Sequence, residues 1–116
     1  MGEVTIYHNP RCSKSRQTLA LLHSRGLSPR VVHYLDTPPS AATLERLLAM
    51  LKMRPRQLMR RHEAPYAELN LDDPSLGDSE LIAVMASHPI LIERPIVEAN
   101  DRAAIGRPPE NVLTIL

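Results

Sequence analysis

The chain of 116 residues has one cysteine, no tryptophan and no phenylalanine. Each scarcity closes off a class of function. A single cysteine cannot form an internal disulfide, which fits a protein of a reducing compartment, the cytoplasm. The near absence of aromatic faces argues against stacking platforms for single-stranded nucleic acid. The formal net charge is +1, so bulk charge gives no case for nucleic acid or a membrane surface. No apolar run approaches the roughly 20 residues that span a bilayer. No basic segment followed by an apolar one opens the chain, so no signal peptide is expected. His8, His23, His33, His62 and His88 are scattered, with no ligand spacing, and no metal is expected.

Proline is abundant instead. The eleven prolines punctuate the chain rather than cluster, and mark element boundaries. Val4-Thr5-Ile6-Tyr7 alternates apolar and polar residues as a strand does. Asn9-Pro10 is a turn signal. A leucine-rich helix is predicted over 15–25, with Gly26 as its terminator. Residues 31–35 read as a second strand. Ser40 is a good N-cap for a helix bearing Leu44, Leu47, Leu48 and Leu51 at i, i+3, i+4 and i+7. Short helices are predicted over 55–61 and 65–69. Asp78 is expected to cap a helix carrying Leu81, Ile82 and Met85. Two short apolar runs follow, Ile90-Leu91-Ile92 and Ile96-Val97. Asn100-Asp101 reads as a hairpin turn before a strand at 103–105, and Pro109 opens a last helix to about Leu113. The length suits one domain, 1–116, with a helical insertion at about 40–88. The order βαβ, helices, hairpin, short helix is that of an α/β, thioredoxin-like mixed sheet.

The chemistry concentrates at 7–16, where the strand gives way to the helix. Cys12 stands at a helix N-terminus, beside free backbone N–H groups, with Arg11, Lys14 and Arg16 in the same turn. That setting lowers a thiol pKa and also binds an oxyanion. An ordinary buried cysteine is the competing reading. His8 either polarises the Cys12 region or holds the turn. Ser15, three residues on, either hydrogen-bonds the thiolate or caps the helix. Arg94 and Arg107 each precede a proline, which stiffens the backbone under a guanidinium.

These residues carry a resemblance. I-Y-H-N-P-R-C-S-K-S-R at 6–16, H-Y-L-D-T-P-P at 33–39, L-M-R-R at 58–61, P-Y-A-E-L at 65–69, H-P-I-L-I-E-R-P-I-V at 88–97 and I-G-R-P-P-E at 105–110 occur in order. Together they resemble the ArsC family of glutaredoxin-dependent arsenate reductases. Ser13-Lys14 stands where such reductases usually carry Gly-Thr, and is similar to the YfgD-like branch. The resemblance implies that Cys12 is the nucleophile and that Arg60, Arg94 and Arg107 handle the oxyanion. His8, Ser15, Arg16 and Pro95 are expected in support, with a cis Arg94-Pro95 bond facing Cys12. It further implies a monomer with no bound cofactor. Arsenate would form an adduct on Cys12, glutathione would serve as reductant, and glutaredoxin would complete the cycle. Two alternatives stand beside it. One is a thiol-redox protein of unassigned substrate. The other is a non-catalytic regulator like the Spx proteins, which share the fold and bind RNA polymerase.

Overall fold

The computed structural model describes residues 3–116. The chain divides into two compact units. One comprises the chain up to Thr37 together with Arg94–Leu116, and the other is Pro38–Glu93.

The first unit holds a four-stranded mixed sheet in the order β2-β1-β3-β4. β1 (Thr5–His8) pairs in parallel with β2 (Arg30–His33) and antiparallel with β3 (Ile96–Ala99), and β3 pairs antiparallel with β4 (Arg102–Ile105). This is the α/β, thioredoxin-like sheet. Alternation along β1 does not mark a solvent face, because all four of its residues are buried. The β1–β2 crossover is α1 (Ser13–Ser24). Gly26, at φ 77°, donates its N–H to the His23 carbonyl while Leu27 donates to that of Leu22. These two bonds engage the Leu22 and His23 carbonyls in the last turn of the helix, in a pairing that a residue of positive φ favours.

Asn100 and Asp101 both have positive φ, 54° and 59°, as a tight hairpin turn between β3 and β4 requires. Pro109–Ile115 is a 3-10 helix, longer than the sequence predicts. Three residues per turn places Pro109, Val112 and Ile115 on one face, and all three are buried. Val112 and Ile115 join Ile6, Leu22, Val97 and Ala99 in one apolar cluster, so α1 and the 3-10 helix share a core with the sheet.

The second unit is helical. α2 (Ala41–Leu51) buries Leu44, Leu47 and Leu48, the stripe predicted from spacing. Ser40 Oγ accepts from the Thr43 N–H at 3.1 Å. α3 (Pro55–Leu58) and α4 (Ala64–Glu68) are shorter than or shifted from the predicted spans. α5 (Asp78–Ser87) buries Leu81, Ile82 and Met85. Its cap differs from expectation. Asp78 is the first helical residue, and its carboxylate pairs with Arg54 at 3.0 Å. Glu80 reaches back to the Gly77 N–H at 2.9 Å and does the capping. A carboxylate three residues along can reach that N–H, whereas Asp78 is engaged elsewhere. The Ile90-Leu91-Ile92 run is split between a 3-10 turn (Pro89–Leu91) and an isolated bridge from Ile92 to Met59.

Ser40→Ala removes the cap of α2. It should lower unfolding free energy by about 1 kcal/mol in a urea titration, with an unchanged m-value.

Candidate active site

The loop between β1 and α1 is fixed by its own polar groups. Asn9 is buried, its Oδ1 accepts from the Arg11 N–H at 3.0 Å, and its carbonyl accepts from the Cys12 N–H at 3.0 Å. This Asx turn delivers Cys12 to the N-cap of α1, at φ −94° and ψ 123°. Arg16, one turn into α1, donates from Nη1 to the Pro10 carbonyl at 2.9 Å and closes the loop from outside. The helix begins immediately, with the Arg16 N–H on the Cys12 carbonyl at 3.0 Å.

Cys12 is 8% exposed. Its thiol pKa lies below the ordinary thiol value. Burial is the largest influence and pushes it upward. The Ser15 main-chain N–H, the Arg94 guanidinium as hydrogen-bond donor and as charge, and the Lys14 N–H together outweigh burial. Arg107 adds a donor, with Nη2 3.4 Å from Sγ. The sequence assigns this work to Arg11, Lys14 and Arg16 as cations. In the structure Lys14 acts through its main chain, Arg16 is turned to Pro10, and the principal charge is that of Arg94.

Arg94 and Arg107 are coupled, because Arg107 Nε donates to the Arg94 carbonyl at 2.7 Å. The Arg94-Pro95 bond is cis, as the resemblance implies, and so is Arg107-Pro108, which the sequence reading did not anticipate. Between them Gly106 donates its N–H to the Pro95 carbonyl at 2.9 Å. A Cβ at Gly106 would collide with Thr18 Oγ1 and lie 2.9 Å from Pro95 Cγ. The Arg107 segment therefore rests directly on α1 and on Pro95, and only glycine permits that approach.

Ser15 serves the sulfur through its N–H and not its hydroxyl. Its Oγ accepts from the Asn9 N–H at 3.0 Å and shares a 2.6 Å hydrogen bond with His8 Nδ1. It does not cap the helix either, since Cys12 holds that position. The His8 pKa is lowered, first by burial, then by the charges of His33 and Arg16. A histidine lowered below 6.5 is neutral at pH 7 and brings the thiolate no positive charge. His8 holds the loop.

Arg60 belongs to the Pro38–Glu93 unit. There its Nη1 lies 3.5 Å from Glu63 Oε2, its Nε lies 3.9 Å from Glu93 Oε1, and its N–H is bonded to the Leu91 carbonyl. The structure thus brings Cys12, Arg94, Arg107, Ser15, His8, Arg16 and Pro95 together in one unit, and places Arg60 among carboxylates in the other. Thr18 and Gly106 are structural contributors with no signal in the sequence, whereas Asn9 is marked there only as part of a turn. The Asx bond to the Arg11 N–H is what the Asn9-Pro10 turn signal becomes in the structure. Among the described residues no group of three or more His, Cys, Asp or Glu is placed to hold a metal ion. Among the same residues no helix is long and apolar enough to cross a membrane.

The structure sets two of the three arginines named by the motif blocks, Arg94 and Arg107, beside the Cys12 thiol at a helix N-terminus. The ArsC family profile matches residues 7–115. The chain belongs to the ArsC family. It is 58% identical over 115 residues to an uncharacterized protein of Escherichia coli, YfgD, covering 98% of this chain and 97% of that one. It is 49% identical over 117 residues to an arsenate reductase of Neisseria meningitidis, covering all of both chains. A solved arsenate reductase from Vibrio cholerae superposes with a TM-score of 0.96 at 55% identity, covering 99% of this chain and 98% of that one.

Two outcomes check this geometry. Arg94→Ala should move the pH midpoint of Cys12 alkylation by iodoacetamide upward, because the thiolate loses a donor and a charge. An unmoved midpoint would assign the lowered pKa to the helix N–H groups and Arg107, without Arg94. Gly106→Ala should cost about 1–3 kcal/mol in thermal or urea unfolding, the range for overpacking a tight contact.

Proposed function

We propose that this chain reduces arsenate to arsenite, with Cys12 as nucleophile and glutathione and glutaredoxin as the electron source. The observation that carries the reading is the pairing of a lowered thiol pKa with two arginine donors on the same sulfur. Thiolate and arsenate are both anions and repel. Guanidiniums preset beside the sulfur offset that repulsion and bind planar sets of oxygens in pairs. Membership of the ArsC family and 49% identity to an arsenate reductase support arsenate as the oxyanion.

The chemistry then runs as follows. The Cys12 thiolate forms a bond to arsenic, and one arsenate hydroxyl leaves as water with a proton from solvent. The leaving group develops negative charge, which Arg94 and Arg107 stabilise. Glutathione adds through its sulfur, and a second hydroxyl leaves as water with the thiol proton. A glutaredoxin thiolate attacks the glutathione sulfur. The sulfur–arsenic bond breaks with its electron pair on arsenic, which passes from As(V) to As(III), and the two outer sulfurs become a mixed disulfide. Water displaces Cys12 from As(III), releasing arsenite and restoring the thiolate. An external thiol is required because reduction takes two electrons and the chain holds one cysteine. The reading takes the protein to be a cytoplasmic monomer.

A second reading, a thiol-redox protein acting on a different substrate, is favoured by Ser13-Lys14 and by the 58% identity to YfgD. A coupled assay with arsenate, glutathione, glutaredoxin and its NADPH-driven reductase separates the two. Arsenate-dependent NADPH oxidation is expected, abolished in Cys12→Ser and reduced about a hundredfold or more in kcat/KM in Arg94→Ala. Activity that persists in Cys12→Ser, or no arsenate dependence at all, overturns the proposal.

A further inference from the structure

The cysteine loop has a second side. A cleft of about 310 Å³ lies against it, lined by His8, Asn9, Arg11, His33, Leu35 and Asp36. Its walls follow from the sheet and the two loops at its end. Parallel register sets His8 opposite His33 at the ends of β1 and β2, with ring centroids 6.0 Å apart. After β2 the chain turns back, and the Asp36 and Thr37 N–H groups both bond to the His33 carbonyl, at 3.0 and 2.8 Å. That turn brings Asp36 into the lining of the cleft that Arg11 also lines.

The cleft carries both signs of charge. Arg11 and the exposed His33 can receive a carboxylate, Asp36 can receive an ammonium, and Leu35, 40% exposed, gives an apolar edge. An oxyanion such as arsenate gains nothing from Asp36 and is repelled by it. A zwitterion gains from both charges. Asn9 and Arg11 both line it, and Asn9, whose Oδ1 accepts from the Arg11 N–H, sets Cys12 in place through its carbonyl. An occupant is therefore held alongside the loop that carries the reacting sulfur. The volume is at the lower end of small-molecule sites, enough for the amino-acid end of a small thiol.

We infer that this cleft is the docking site of the external thiol, and that it selects a zwitterionic, amino-acid-derived thiol such as glutathione over a neutral one. The ammonium is placed on Asp36, and carboxylate on Arg11 and His33. The inference rests on the proposed thiol-dependent reduction at Cys12. It adds where the thiol docks and which charges recognise it.

The test uses S-methylglutathione, which keeps the charges of glutathione and cannot react through sulfur. Titrated into the full-length protein and followed by amide NMR, it should shift His33, Leu35 and Asp36 saturably. Asp36→Asn and Arg11→Gln should each weaken that binding about fivefold, the loss expected for one partly solvated charge contact. In the coupled assay the same variants should lower the ratio of kcat/KM for glutathione to that for 2-mercaptoethanol by a similar factor. Shifts confined to other residues, or binding that neither substitution weakens, overturn the inference. Failure of the protein to reduce arsenate with either thiol overturns the proposed function instead, and the NMR titration still decides the cleft.

Discussion

The sulfur of Cys12 is the point to which the first unit is built. It is mostly removed from water, which by itself favours the neutral thiol. Main-chain N–H groups at the start of α1 and the guanidinium of Arg94 reverse that preference. The reversal depends on groups distant in sequence meeting at one atom. Arg107 lies 95 positions from Cys12 and reaches it at 3.4 Å. The close fit of Gly106 between Thr18 and Pro95 makes that reach possible. The sheet order has the same consequence, because β3 lies beside β1 and carries Arg94-Pro95 to the end where the cysteine loop begins.

Local chemistry was legible in the sequence. A strand, an Asn-Pro turn, a cysteine and a helix follow one another within residues 5–24, and each has a short-range signal. The α2 stripe and the Asn100-Asp101 hairpin were legible for the same reason. Arg94 and Arg107 became candidates through family resemblance and not through spacing, since a solvated arginine leaves the same trace in sequence as a bound one. The division of labour at Ser15 was not legible. Only packing decides that its hydroxyl turns to His8 and Asn9 while its N–H turns to sulfur. The neutral state of His8 likewise depends on burial and on His33, which is its neighbour only once β1 and β2 are paired. Asp78 shows the limit of cap prediction, because an ion pair with Arg54 competes for the same carboxylate.

The nucleophile, its N–H donors, two guanidiniums and the mixed-charge cleft all belong to the sheet-bearing unit. Arg60 belongs to the helical unit, where its guanidinium lies between the carboxylates of Glu63 and Glu93.

The central claim is that one set of groups, Arg94 and Arg107 with the helix N-terminus, serves both the thiolate and the oxyanion. Two anions sharing donors must weaken each other, and the coupling is reciprocal. The direct measurement is the ultraviolet titration of the Cys12 thiolate against pH, with and without sulfate as an unreactive oxyanion, at matched ionic strength. The account predicts a midpoint that rises as sulfate is added. A midpoint unchanged at sulfate concentrations that inhibit arsenate reduction would contradict it, because the oxyanion would then occupy donors that the sulfur does not use.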